Sequence, residues 1–238
     1  MMSEANPCPA SRTPTPPLPT SIFITGATGF IGRRLTEQLV AAGADVTALT
    51  LPEEVPWVPQ GVRVLPGDIT DATSVQRAIS AAQPTLIIHL AAVGITNPHL
   101  PFTTACRVNV DGVINVLDAA RTTSGVRRIV LVGSSYEYGA RRTEDGLDPF
   151  NAYSASKVAA WAFARAAYNA WGAPVVWVRL FQVYGPGQRE QALIPAAIRA
   201  ALSDADFRMT AGAQQRDFVF VEDVVAGLLA VAAAPAIE

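Results

Sequence analysis

Apolar, largely β-branched runs recur along the chain at Ile22–Thr25, Val46–Leu49, Val62–Leu65, Leu86–Leu90, Ile129–Val132 and Val175–Leu180, each followed by a loop or a helix-like stretch. That alternation predicts a parallel sheet with crossover helices. The runs are nearly continuous in apolar residues, as strands covered by helices on both faces are. The expected fold is therefore α/β, a doubly wound parallel sheet of Rossmann type. Helical patterning is expected at Phe30–Ala42, Phe102–Thr122 and Asn151–Trp171. The last of these is apolar almost all round, and small residues such as Ala160 and Ala167 are expected on its outer side. Beyond about residue 181 the rhythm breaks into Tyr184-Gly-Pro-Gly, a helix-like Ala192–Leu202 and short strands expected near Phe207–Thr210 and Phe218–Val221.

Composition narrows the function classes. Half of the 238 residues are hydrophobic and 16% are charged, below the roughly 25% usual for soluble domains, so a sizeable core is expected and wholesale disorder is excluded. A formal charge of −2 offers no field for nucleic acid or anionic lipid. Neither is expected as a partner. The longest uncharged apolar run, Val224–Ile237, counts 14 residues, short of the roughly 20 that cross a bilayer, and is read as a buried helix. Residues 1–20 carry six prolines and no basic-then-apolar secretory pattern, which predicts a flexible leader. Cys8 and Cys106 are too few for a disulfide framework or a cysteine-rich zinc site. No metal and a reducing, cytoplasmic setting are expected.

Gly26-Ala-Thr-Gly29-Phe-Ile-Gly32 follows the first strand and opens a helix. Glycines in that context permit a tight turn and let backbone N–H groups approach a pyrophosphate at the helix N-terminus. An ordinary strand-to-helix turn is the plain alternative. The acidic residue that holds the ribose diol of NAD at the end of the second strand is missing from Leu49-Thr50-Leu51; Asp45 comes too early, and Glu53 and Glu54 follow a proline. Arg33 and Arg34 beside the turn could instead neutralise the extra phosphate of NADP. NAD and NADP both stay open. Asp68, in Gly67-Asp-Ile, reads either as an acceptor for the adenine amino group or as a helix cap.

Of 18 basic residues besides histidine, 17 are arginine, and the one lysine, Lys157, stands four residues after Tyr153 in a helical run. Both side chains then share one face, where an ammonium can make a phenol a usable acid or base. Ser134 and Ser135 end the fifth strand, and ligands of open α/β sheets bind at strand carboxyl ends. Closing a turn is their plain alternative.

Gly26-x-x-Gly29-x-x-Gly32, Gly67-Asp68, His89-Leu-Ala-Ala, Asn109-Val-x-Gly112, Ser134 before Tyr138-Gly, Tyr153-x-x-x-Lys157, Arg179-Leu-Phe-Gln-Val-Tyr184-Gly-Pro-Gly and Arg216-Asp-Phe-Val-Phe-Val-Glu-Asp223 together resemble the extended short-chain dehydrogenase/reductases. Within that group the likeness is to the NAD-dependent epimerase/dehydratase family acting on nucleotide sugars. The resemblance runs from about residue 21 to the end. It implies that Tyr153 is the acid/base, and that Lys157 orients the nicotinamide ribose and lowers the tyrosine's pKa. Ser134, with Ser135 the weaker choice, bonds the sugar oxygen, Arg216 meets the nucleotide diphosphate, and Gln182 belongs to the substrate loop. Gly26, Thr28, Gly29, Phe30, Ile31, Gly32, Asp68, Ile69, Leu90, Ala91, Ala92 and Asn109 would surround the dinucleotide, with His89 structural.

Three departures shape the expected function. Ser135 and Tyr136 stand where 4,6-dehydratases carry an Asp-Glu pair, and Glu137 is one place late, so an epimerase or 4-keto reductase is expected ahead of a dehydratase. Gln182 replaces the usual Asn of its turn. Family members usually continue well past the Arg-Asp-Phe segment, so a dinucleotide-binding domain over 21–180 and a partial, truncated substrate lobe over 181–238 are expected. A cofactor-binding regulator or pseudoenzyme is the alternative from another class. A homodimer is expected through the helix at 151–171 and the one before it.

Overall fold

The computed structural model describes residues 21–139 and 146–235. The proline-rich leader expected over 1–20 lies outside the described residues, as do 140–145 and 236–238.

Six strands, β1 (Ser21–Thr25), β2 (Asp45–Thr50), β3 (Arg63–Pro66), β4 (Leu86–His89), β5 (Arg128–Ser134) and β6 (Val175–Leu180), form one sheet in the order β3-β2-β1-β4-β5-β6. Every pairing is parallel. The order reverses between β1 and β4, and the crevice outside that switch point is where ligands of such sheets bind. A second, two-stranded parallel sheet pairs β7 (Gln182–Tyr184) with β8 (Phe218–Phe220).

The continuous apolar runs divide by residue parity between two cores, because successive side chains of a strand point to opposite faces. Phe23, Ile87, Ile129 and Leu131 bury one way, against α2 (Ala72–Ala82), α4 (Gly112–Thr122) and α5 (Ala152–Trp171). Ile22, Ile24, Leu86, Ile88, Val130 and Val132 bury the other way, against α1 (Phe30–Ala41) and α7 (Val221–Ala233). The last helix thus lies beside the first. Arg34 and Gln38 of α1 hold Glu222 at the start of α7, at 2.7 and 2.8 Å. Arg128 donates to the carbonyls of Val231 and Ala234 at its end.

Local chemistry sets the helix ends. Asp71 caps α2 by accepting from the Thr73 amide. α5 starts with a reciprocal capping box of Asn151 and Ser154 and stops at Gly172, whose φ of 69° is left-handed, the residue and conformation that end helices most readily. The helix expected over 102–122 is three consecutive segments: α3 (Phe102–Ala105), a π-helical stretch Cys106–Asp111, and α4.

Two expectations need correction. Residues 207–210 form no strand. Ala160 and Ala167 are buried, because small side chains let α5 settle closely on the sheet. Its outer face instead carries Ala162, Ala166 and Ala170, with Phe163 48% and Tyr168 55% exposed. α6 (Leu193–Leu202) has no buried residue, and Leu193, Ile198 and Leu202 are exposed.

Candidate active site

A cleft of about 630 Å³ opens where the carboxyl ends of β1, β2, β3 and β4 meet. Gly26 turns there with φ 74°, and a β-carbon on it would come within 2.7 Å of the Ala91 amide. Gly29, in the cleft wall, is the N-cap of α1 and brings no capping side chain, so the helix's first amides have no side-chain acceptor, as a bound diphosphate requires. A β-carbon on Gly32 would strike the Gly26 carbonyl; its absence lets helix and turn pack. These features fit a dinucleotide.

Of the residues expected around the cofactor, Gly26, Thr28, Gly29, Asp68, Ile69, Leu90, Ala91 and Ala92 line the cleft. Phe30, Ile31 and Gly32 are not in its wall; Ile31 packs against the core beneath α1. Asn109 is not in the wall either. Its buried amide exchanges two hydrogen bonds with Val93 and donates to Ser156 Oγ, pinning the loop after β4 to α5. The π-helical stretch puts it there, an irregularity often found at functional sites. His89 is buried and pairs through Nδ1 with Thr25 Oγ1 at 2.7 Å, bridging the switch point; burial pushes its pKa down to about 3. Asp68 does not cap α2, which Asp71 does; its carboxylate accepts from the Thr70 amide.

Sequence reasoning set Glu54 aside, and the structure brings it in. A 3-10 turn, Pro52–Trp57, folds back after β2 and puts Glu54 in the cleft wall, where its carboxylate accepts from Thr28 and Thr50 hydroxyls at 3.1 and 3.0 Å. The usable signal was Pro52 at the first position of a turn rich in acids. Arg33 and Arg34 are occupied elsewhere, with Glu37 and with Glu222 and the Pro186 carbonyl respectively. Neither lines the cleft.

Ser134, Tyr153 and Lys157 meet at the end of β5, and all three are buried. Val93 lines the cleft, and the next residue, Gly94, lies against Tyr153, where an added β-carbon would be 3.5 Å from the Tyr153 β-carbon. The two regions are thus joined by one loop. Lys157 Nζ lies 6.0 Å from the Tyr153 ring centroid and donates to the Val132 carbonyl at 2.8 Å. Burial lowers the lysine's pKa to about 8, and Glu137 opposes that. Contrary to what the resemblance implied, the pKa of Tyr153 is not lowered. Burial pushes it up to about 12, against the pull of the Ser134 hydroxyl, so the phenol holds its proton near neutrality. Ser134 Oγ accepts from the Tyr136 amide at 3.2 Å, which leaves the hydroxyl hydrogen free to donate. A phenol, a hydroxyl donor and a buried ammonium can together exchange a proton with a substrate hydroxyl.

The remaining expected substrate contacts sit on other segments of the chain. Ser135 opens the turn after β5, Gln182 opens β7 with its amide on the Asp217 carbonyl at 3.0 Å, and Arg216 is exposed and donates to the Gln215 carbonyl.

A sequence profile of the NAD dependent epimerase/dehydratase family matches residues 22–237. The chain belongs to that family. Among its relatives is the UDP-N-acetyl-alpha-D-glucosaminuronate decarboxylase of Bacillus cytotoxicus, 30% identical over 230 residues, covering 87% of this chain and 70% of that one. UDP-glucuronate 4-epimerase 2 of Arabidopsis thaliana is 26% identical over 235 residues, covering 88% and 53%. A dTDP-D-glucose 4,6-dehydratase of Mus musculus also matches, at 28% over 229 residues, covering 88% and 64%. The solved structure of MoeE5 in complex with UDP-glucose and NAD superposes with a TM-score of 0.75 at 30% identity, covering 91% of this chain and 72% of that one. This family member therefore spans between about half and seven tenths of the length of these proteins. Among the described residues no helix is long and apolar enough to cross a membrane.

Proposed function

We propose that this family member is an NAD-dependent nucleotide-sugar epimerase or 4-keto reductase, with Tyr153 as its acid/base. The observation that carries the reading is the buried Ser134, Tyr153 and Lys157 group, one loop away from a glycine-lined cleft with an open helix N-terminus. When bound, NAD supplies a nicotinamide that accepts and returns hydride. The protein's own groups handle position and protons. Tyr153 passes the proton of the reacting hydroxyl, Ser134 donates to the same sugar oxygen, and Lys157 reaches ribose hydroxyls. Asn109 holds the wall between cofactor and sugar. Glu54 accepts from the adenosine ribose diol, which selects NAD over NADP because a 2′-phosphate would face that carboxylate. Asp68 takes the adenine amino group, and Gln182 and Arg216 meet the nucleotide sugar.

Dehydration is the less favoured reaction. Ser135 and Tyr136 stand where the acid/base pair of water loss would be, and Glu137 is fully buried against Arg179 at 2.6 Å, so it cannot substitute. We read the protein as a cytoplasmic homodimer paired through the outer face of α5. A second reading, a cofactor-binding regulator, draws on the exposure of Arg216 and of α6.

Titration calorimetry with NAD, NADP, UDP-glucose and UDP-glucuronic acid, followed by turnover assays, separates the two. Tyr153→Phe is expected to lower turnover about 10²–10⁴-fold with NAD affinity kept within a few-fold. A phenylalanine variant of near wild-type rate would sink the assignment, and binding of NAD without any nucleotide sugar would favour the regulator.

A further inference from the structure

The turn after β5 carries a buried carboxylate that the chemistry above does not use. Glu137 is 0% exposed. One of its oxygens accepts from the Ser134 amide at 2.8 Å and the Trp177 indole N–H at 3.3 Å; the other accepts from Arg179 Nε at 2.6 Å. Gly133 makes the room: a β-carbon there would collide with both the carboxylate and the indole nitrogen. Trp177 and Arg179 belong to β6, opposite Leu131 and Gly133 of β5.

Capping the short turn explains only the first of these bonds. The capping box of α5 does the same work with neutral Asn151 and Ser154, whereas a buried carboxylate carries a large desolvation cost unless donors surround it. The charge therefore asks for a separate reason. Two structural facts supply it: Ser134, whose amide the carboxylate holds, presents its hydroxyl to Tyr153, and the only lysine of the chain is buried nearby with a neutral carbonyl as its hydrogen-bond partner.

We propose that Glu137 is a positioning residue of the Ser134, Tyr153 and Lys157 site: it clamps the Ser134 main chain to β6 through Trp177 and Arg179, and it sets a carboxylate two residues along β5 from the Val132 carbonyl that holds the Lys157 ammonium, whose charge it supports. The proposal rests on the reading of those three residues as the reacting group. Among the described residues, the titratable groups that meet Lys157 are Tyr153 on its own helix, His89 from β4 and Glu137 from the turn, whose other oxygen pairs with Arg179 from β6. Among them Glu137 alone favours the ammonium by its charge.

Because Lys157 is the sole lysine, protein labelled with [13Cε]lysine gives one resonance, and its pH midpoint can be read without any substrate. The wild-type midpoint is expected near 8. Glu137→Gln should lower it by about half a unit, whereas Trp177→Phe, which disturbs packing and keeps the charge, should leave it in place. An unmoved midpoint in folded Glu137→Gln, or an equal shift in Trp177→Phe, overturns the electrostatic half. A variant that fails to fold declares itself by a lysine titrating at the ordinary 10.5. Glu137→Asp then tests the clamp, since the charge stays and the arm shortens: hydrogen exchange of the Ser134 amide should quicken about tenfold or more while the lysine midpoint holds. Unchanged Ser134 protection would refute the clamp. Neither readout involves turnover, so these outcomes stand apart from that of Tyr153→Phe.

Discussion

The proposed choice between NAD and NADP turns on a single side chain, Glu54. Its carboxylate is set by two threonine hydroxyls, one from the glycine turn and one from the end of β2, so its place in the cleft is defined before any ligand arrives. Glu54→Gln keeps the shape and one acceptor oxygen but loses the charge. Hydrogen bonds to charged groups are worth about 1.5–3 kcal/mol, so NAD affinity should fall roughly tenfold while NADP affinity holds or improves. Calorimetry with the two dinucleotides measures the ratio directly, and an unchanged ratio would remove Glu54 from the ribose site. Its place is not legible from strand-end spacing, for a physical reason. Strand-end spacing assumes that the chain leaves the sheet in one direction, and a 3-10 turn opened by Pro52 reverses it. Asp68 illustrates the converse: cap and ligand readings were equal by pattern, and Asp71 three residues on had the geometry to cap.

Helix α5 does two jobs on two faces. Its inner side presents Ala160, Ala164 and Ala167 to the sheet and brings Tyr153 and Lys157 to the end of β5. Its outer side leaves Phe163 and Tyr168 in water on a ridge spaced by Ala162, Ala166 and Ala170. A stable soluble helix rarely shows water a large apolar face without a partner, and two-fold pairing is the commonest closure. Replacing Phe163 and Tyr168 together by Glu should convert a micromolar dimer to monomer in sedimentation equilibrium. A wild-type protein that sediments as a monomer at that concentration would overturn the pairing. At this scale the sequence is readable where one rule governs: the six strands and the extent of the helix over 151–171. It was not readable where tertiary contacts chose among near-equal local states. The π-helical stretch at Cys106–Asp111 has no periodic signature of its own, since it is set by Asn109 reaching Val93 and Ser156. The inward turn of Ala160 and Ala167 likewise could not be read from a helix apolar on every side.

In the whole molecule, the switch point ties stability to pH. His89 is held neutral down to about 3 against an ordinary 6.5, so between those values the unfolded chain binds a proton that the folded chain refuses. Its contribution is therefore complete above about 6.5 and is lost as pH falls toward 3, at up to about 1.4 kcal/mol per pH unit. His89→Asn, which can still meet the Thr25 hydroxyl, should flatten the fall in melting temperature between pH 7 and pH 4.5; a slope identical to wild type would show that other groups govern acid stability. The neighbourhood of α1 and α7 has a further consequence, for the order of events during synthesis. Ile22, Ile24, Leu86, Ile88, Val130 and Val132 all turn toward a layer that only Val224, Val225, Leu228 and Ala232 complete. A ribosome that has not yet made α7 therefore holds a nascent sheet with this side covered by α1 alone, and chaperones that recognise extended apolar strands have their longest opportunity just before α7 emerges.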